Sequence, residues 1–256
     1  KRSREHEMNT YLNSMKAMYE NALAQNGELY DIARESTENF QNITAAAICA
    51  YSRIIKILRY AIAPSISQMK FGQFFGMGSI DKFENDRLEP DTAKYNALCR
   101  IAPQIAHFAT QNLDHKRFLW VREDAGKITD QLLASEYAKG WTCSIAADQN
   151  AQTRYRNWRK DLQEHAIATE LVELGYTKSS FSGIVRQKTD IKIGEFIQEL
   201  RVQGRTRQKA DLIARSKKTK QLVLIEAKAV GVEIDSTKRI KKCCDKANDW
   251  RAAQAL

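Results

Sequence analysis

Residues 209–228, KADLIARSKKTKQLVLIEAK, place two carboxylates and a lysine at a spacing suited to hydrolytic chemistry. The polar turn Lys217 to Lys220 separates two apolar runs and is centred midway between Asp211 and Glu226. A regular hairpin therefore makes those acids a cross-strand pair, with Cβ atoms roughly 4.5 to 5.5 Å apart. The same register sets Ile213 against Leu224, Leu212 against Ile225, Ala214 against Val223 and Ala210 against Ala227, so both faces are apolar and the hairpin belongs inside a sheet covered on both sides. Lys228, two residues beyond Glu226, projects from the same face as Glu226. Like charges so close repel unless a cation lies between them, and carboxylate oxygens suit Mg²⁺, which also binds phosphate oxygens. Such an ion lowers the pKa of a bound water and stabilises charge growing on a phosphodiester, with Lys228 orienting the water. The bland alternative is an ordinary hairpin in which Lys228 pairs with one acid.

The elements that must hold this group follow from the pattern on either side. Strands are predicted at 194–202, 209–215 and 221–228. Before them the run Arg154, Arg156, Arg159, Lys160, interleaved with Tyr155 and Trp158, opens a helix that continues through Ile167, Leu171 and Leu174 and stops at Gly175, a normal C′ residue. A last helix begins near Asp235 or Ser236 and carries Ile240, Cys243, Cys244, Ala247 and Trp250 on one stripe, with Lys246 among the basic residues around the rest. Glu199, on the first strand, is a further candidate metal ligand, or else a solvent-facing strand residue. Glu164 and His165 lie on the helix that should pack on the sheet, and His165 reads as a core or surface residue. Ser236, Lys238 and Arg239 suit phosphate binding, because free N–H groups and side-chain cations coincide at a helix start.

Charge divides the chain. Residues 1–150 hold 18 basic and 18 acidic side chains, whereas residues 151–256 hold 23 and 13 and so carry the whole net charge of +10. A basic segment beside a neutral one points to a polyanion, most simply nucleic acid. The neutral part reads as helical over 8–62, with apolar steps such as Ile54, Ile57, Leu58 and Ala61, and again over 101–151, with Trp120, Leu132, Leu133 and Trp141 as core anchors. No apolar run reaches the roughly 18 residues of a membrane span. Five cysteines, an odd number with no C-x-x-C pair, argue against a disulfide framework or zinc site and for a reducing, cytoplasmic compartment, and no secretory signal is recognisable.

Asp211, Glu226 and Lys228 match, one by one, the motif of the PD-(D/E)xK nucleases, which the segment resembles, with Ala210 where the motif has Pro. More narrowly, GEFIQELRVQGRTRQKADLIAR followed by IEAKAVGVEIDSTKRIKKCCDKANDW is similar to the XamI-type type II restriction endonucleases. The shared elements are Gly194, Phe196 and Glu199; Lys209, Ala210 and Asp211; Glu226 and Lys228; and Ser236, Lys238 and Arg239. The resemblance implies an α/β protein, with a helical N-terminal region over 1–150 and a mixed-sheet nuclease domain flanked by helices over 151–256. It implies Mg²⁺-dependent, sequence-specific cleavage of double-stranded DNA, a homodimer and a DNA methyltransferase in the same system. Asp211 and Glu226 would hold metal, with Glu199, and Lys228 would assist the water; Arg154, Arg156, Arg159, Lys160, Ser236, Lys238 and Arg239 would hold DNA.

Residues 67–101 resemble a Cro and phage-repressor helix-turn-helix, within a module spanning 54–101. Ser67, Gln68, Phe71, Phe74 and Gly76 match its second helix and turn, Ile80, Phe83 and Glu84 its recognition helix, and Pro90 the loop that follows. Ser79, Asp81 and Lys82 would face bases. The other reading of this segment is a helical hairpin with the core stripe Phe71, Phe74, Phe75. Competing functions are a DNA-binding regulator that uses the helix-turn-helix beside a non-catalytic nuclease fold, and a nuclease of repair or phage defence. The chain opens without Met, is short around Gly78 and ends just past the second helix of the nuclease core; the expectation is a heavier intact polypeptide whose continuation adds a fourth strand.

Overall fold

The computed structural model describes residues 2–85, 88–121, 131–203, 208–227, 241 and 243–251. The chain divides into two compact units, Lys1–Arg154 and Tyr155–Leu256. No helix among the described residues is long and apolar enough to cross a membrane.

The first unit is helical: α1 (Arg2–Ser36), α2 (Ala45–Ala50), α3 (Ile54–Ala61), α4 (Gln68–Phe74), α5 (Asp81–Asn85) and α6 (Ala93–Asn112), then the opening part of α7 (Gln131–Glu173). Helix α3 is buried on nearly every side, Ile54, Ile55, Ile57 and Leu58 being at most 1% exposed. Around it Tyr30, Phe40, Phe118 and Trp120 form a chain of ring contacts 4.8 to 5.5 Å apart, and the Trp120 indole N–H donates to the Asn39 carbonyl at 2.7 Å. Trp120 is thus the core anchor its sequence context predicts. Leu132, Leu133 and Trp141 are not, at 73%, 68% and 51% exposed. Helix α7 instead buries a face of small residues, Ser135, Ala138, Thr142 and Ala146, which let it approach closely and turn its large residues outward. Cys49 of α2 and Cys99 of α6, which the cysteine count gives no reason to pair, face each other because the packing of α2 on α6 brings their Cα atoms to 5.5 Å.

Ser67 caps α4, its side chain accepting from the Lys70 N–H. Phe71 is buried, Phe75 half-buried and Phe74 64% exposed, so Phe74 lies outside the core stripe. Gly76 and Gly78 take left-handed φ of 63° and 65° in the turn to α5. A Cβ on Gly72 would stand 2.0 Å from the Gly78 carbonyl oxygen, so α4 must be bare where the turn crosses it. Gly72→Ala is expected to lower stability by about 1 to 3 kcal/mol or more through this overlap, read as a drop in denaturation midpoint; an unchanged midpoint would place the turn elsewhere.

The second unit contains the end of α7, a mixed sheet and the helical residues 243–251. Its strands are β1 (Thr177–Lys178), β2 (Ile184–Val185), β3 (Glu195–Gln198), β4 (Arg201–Val202), β5 (Leu212–Arg215) and β6 (Leu222–Ile225). The main sheet has the order β1-β3-β5-β6, parallel between β1 and β3 and antiparallel thereafter, while β2 and β4 pair in a second, two-stranded sheet. The hairpin register is the expected one: Leu212 opposite Ile225, Ile213 opposite Leu224, Ala214 opposite Val223. Strand β5 is covered on both faces, Ile213 packing with Ile197 and Trp250, and Leu212 and Ala214 with Ile167 and Leu171 of α7. Strand β6 ends the sheet among the described residues, with Val223 45% exposed. Regular alternation stops at Asp211, since Ala210 clusters with Ile213, three residues away.

The basic run from Arg154 does not open a helix; it lies inside the 43-residue α7, because no residue between Gln131 and Glu173 breaks the pattern strongly enough to stop it. Its C-terminal end is as expected: Gly175 has φ 76°, and the Tyr176 N–H donates to the Leu171 carbonyl at 2.9 Å while that of Gly175 reaches Val172 at 2.8 Å. The predicted first strand, 194–202, is broken at Glu199, whose φ of 57° is uncommon for a residue with a side chain.

Candidate active site

The site is assembled where β5 begins and β6 ends, with α7 on one side and residues 243–251 contributing a lysine. Asp211 is 6% exposed, and its Oδ2 accepts a 2.8 Å hydrogen bond from the Ala227 N–H, which ties the acid to the residue following Glu226. The Glu226 side chain is 7% exposed, and both its oxygens accept from Lys246 Nζ at 2.8 Å. Lys246 also donates to the Lys209 carbonyl at 2.8 Å and lies 5.5 Å from the Trp250 ring centre.

A second lysine faces Asp211. Lys160 Nζ of α7 lies 2.8 Å from Glu164, 3.2 Å from Glu199 and 3.6 Å from Asp211 Oδ1. Glu164 is itself buried, one helical turn on, so Lys160 and Glu164 meet as an i, i+4 pair over the sheet. The close ion pair with Glu164 and the hydrogen bond to Glu199 hold the Lys160 ammonium well above the ordinary lysine range, although burial opposes them. Glu199, paired with Lys209 at 2.9 Å and with Lys160, is held below the usual carboxylate range by those two bonds. Beside these groups opens a groove of about 570 Å³ lined by Trp158, Asp161, Leu162, Glu164, His165, Gln198 and Glu199.

The donor set suits a hard divalent cation, since it offers carboxylate oxygens, against which the described residues Lys160 and Lys246 set their ammoniums. Among the described residues no group of three His, Cys, Asp or Glu side chains is arranged to hold a metal. A Mg²⁺ ion at the hairpin end would meet the carboxylates of Asp211 and Glu226 and fill its other positions with water and phosphate.

A family model described as XamI restriction endonuclease matches residues 38–254. The chain belongs to the XamI restriction endonuclease family. It is a restriction endonuclease, a hydrolase acting on DNA, and the family implies a double-stranded DNA substrate. The helical region followed by a mixed sheet is consistent with a restriction endonuclease-like fold. The chain matches no curated protein and no solved structure.

Within this XamI family member the positions singled out by sequence fall into four groups. Asp211, Glu226 and Glu199 lie at the hairpin end, Glu199 outside the acid pair and bound by lysines. Arg154, Arg156 and Arg159 lie along α7; Arg154 and Arg156 are exposed, Arg154 donates to Gln25 at 2.9 Å, and Arg159 lies over the Tyr155 ring. Lys160 points its ammonium into the carboxylates rather than to solvent, and His165 is exposed. Ser79 and Lys82, in the other unit, are exposed, as is Asp81. Lys228, Ser236, Lys238 and Arg239 lie outside the described residues. Lys246 carries a role that its sequence does not reveal: it reads as part of a solvated basic face, and only its spacing of four from Trp250 hints that it turns inward. Cys244, expected on the buried stripe, is exposed.

Proposed function

We propose that this chain hydrolyses phosphodiester bonds of double-stranded DNA at a specific sequence, with Mg²⁺, as a type II restriction enzyme acting beside a cognate DNA methyltransferase. The observation that carries the reading is the pair of nearly buried carboxylates, Asp211 and Glu226, at the end of one hairpin. Burying two acids together is costly for folding alone, and such pairs cluster at functional sites. When bound there, Mg²⁺ would supply a water of lowered pKa and a positive charge beside the scissile phosphate. Asp211 and Glu226 hold and orient that charge, the Ala227 N–H fixing the Asp211 carboxylate in one direction. Lys228 keeps the attacking water deprotonated, and Glu199 acts through the lysines it binds. Arg156 and Arg159, with Lys238, Arg239 and the Ser236 hydroxyl, hold phosphates. The nuclease region comprises residues 151–256, and residues 54–101 form a helix-turn-helix whose Ser79 and Lys82 meet DNA; the capped α4, the two left-handed glycines and the buried α5 residues Phe83 and Glu84 support that part of the reading. Cutting both strands at one place calls for two active sites and so a homodimer. The enzyme works in the cytoplasm, where the DNA is.

The test is digestion of long duplexes labelled on both strands. Fixed cuts on both strands in Mg²⁺ are expected; specific binding without cuts would make the chain a regulator, and cuts without sequence preference a nuclease of another kind. Phosphate contacts have their own signature. Arg159→Ala is expected to weaken binding to all sequences alike and to reduce the slope of log K against log salt by about 0.9, one phosphate's share. A sequence-dependent loss at unchanged slope would mean that Arg159 reads a base.

A further inference from the structure

We infer that Lys160 is a displaceable internal cation: its ammonium occupies the carboxylate site in the metal-free protein, and a divalent metal evicts it toward the DNA. The inference rests on Asp211 and Glu226 being the metal-holding acids. The two lysines at the site differ in how they are held. Lys246 is fixed by groups a metal leaves untouched, the Lys209 carbonyl and the Trp250 ring, besides Glu226. Every partner that the described residues offer Lys160 is a carboxylate, Glu164, Glu199 or Asp211.

An ammonium so placed answers the charge of two nearly buried acids, Glu164 and Asp211, which would otherwise stand together without compensation. A dication on Asp211 removes that need and repels the ammonium across the few ångströms that separate it from Asp211 Oδ1. The side chain has a way out, being 36% exposed. Arg156 lies one turn earlier on the same face of α7 and is exposed, so that face carries a second basic residue toward which the ammonium can move. One side chain thus answers the buried acids and, once metal arrives, adds a charge for phosphate.

The test uses the full chain without DNA and reads Mn²⁺ affinity from the electron paramagnetic resonance of free Mn²⁺. Lys160→Met, which removes the competing cation, is expected to bind Mn²⁺ about ten-fold tighter than the wild type. Lys209→Met, which removes a lysine from Glu199 but not from Asp211, is expected to change affinity far less. Unchanged or weaker binding by Lys160→Met would overturn the inference, since Lys160 would then be positioning the acids for the metal; an equal gain in both variants would also overturn it, as a general charge effect. Where Lys160→Met does not fold, lysine acetylation of the wild type, mapped by mass spectrometry, decides. Modification of Lys160 should rise several-fold on adding Ca²⁺ while that of the exposed Lys218 stays constant, and a Lys160 signal indifferent to metal would contradict eviction. Asp211→Asn separates the two readings. If it binds Mn²⁺ like the wild type, the metal-site assignment itself fails; if it loses Mn²⁺ while Lys160→Met is unchanged, only the role of Lys160 does.

Discussion

Asp211→Asn and Glu226→Gln are each expected to cut DNA at least about 10³-fold more slowly than the wild type, some 4 kcal/mol of lost transition-state stabilisation, while still binding it. The amide substitutions keep the shape of each side chain. In Asp211→Asn the amide oxygen can still accept from the Ala227 N–H, so the fold around β5 survives and the loss reports on charge. Alanine at either position should be as inactive but less stable, since it also leaves Lys160 or Lys246 with one carboxylate fewer. Lys228→Ala should be nearly inactive too, and should retain metal better than the carboxylate variants. Single-turnover cleavage beside a binding assay in Ca²⁺ separates these effects. Near-wild-type cutting by Asp211→Asn or Glu226→Gln would remove the carboxylate pair from the chemistry.

The second large effect lies in the helical unit and concerns stability. Arg59 of α3 and Glu84 of α5 form a bidentate ion pair with both side chains 3% exposed. Arg59 also donates to the Ile66 carbonyl at 2.5 Å, and Gln68 donates to Glu84 at 3.1 Å, so one buried pair ties together α3, the start of α4 and α5. Removing one partner leaves the other charge buried and unanswered, which costs about 3 to 5 kcal/mol. Arg59→Met and Glu84→Gln should each lose much of the first unit's stability in urea. The double replacement Arg59→Met with Glu84→Leu should lose less than the two single losses together, because no lone charge remains. A single-variant loss below about 1 kcal/mol would show that water reaches the pair.

The hairpin was legible because its register is a local property. A four-residue polar turn between two apolar runs leaves one way to pair them, and Leu212, Ile213 and Ala214 find the partners that counting from the turn assigns. The C-terminal end of α7 was legible for the same reason, through Gly175. Features decided by distant packing were not. Leu132, Leu133 and Trp141 look like anchors, but α7 buries its small residues, and a sequence does not say which face of a long helix its neighbours will crowd. The approach of Cys49 to Cys99 likewise needs α2 and α6 to meet. In the site, the acids declare themselves by alternation and spacing, whereas Lys160 and Lys246 reach them from α7 and from residues 243–251. A basic run interleaved with aromatics suggests phosphate binding equally well for Arg156 and Lys160; only the fold separates an exposed cation from one set among three carboxylates.

The central claim, that Asp211 and Glu226 together hold the metal that drives hydrolysis, is tested most directly by anomalous scattering from crystals of the full chain soaked in Mn²⁺. A peak is expected about 2.0 to 2.3 Å from a carboxylate oxygen of Asp211 and of Glu226, and it should vanish in Asp211→Asn. No peak at the hairpin end, or one held by other acids and unchanged in Asp211→Asn, would contradict the assignment.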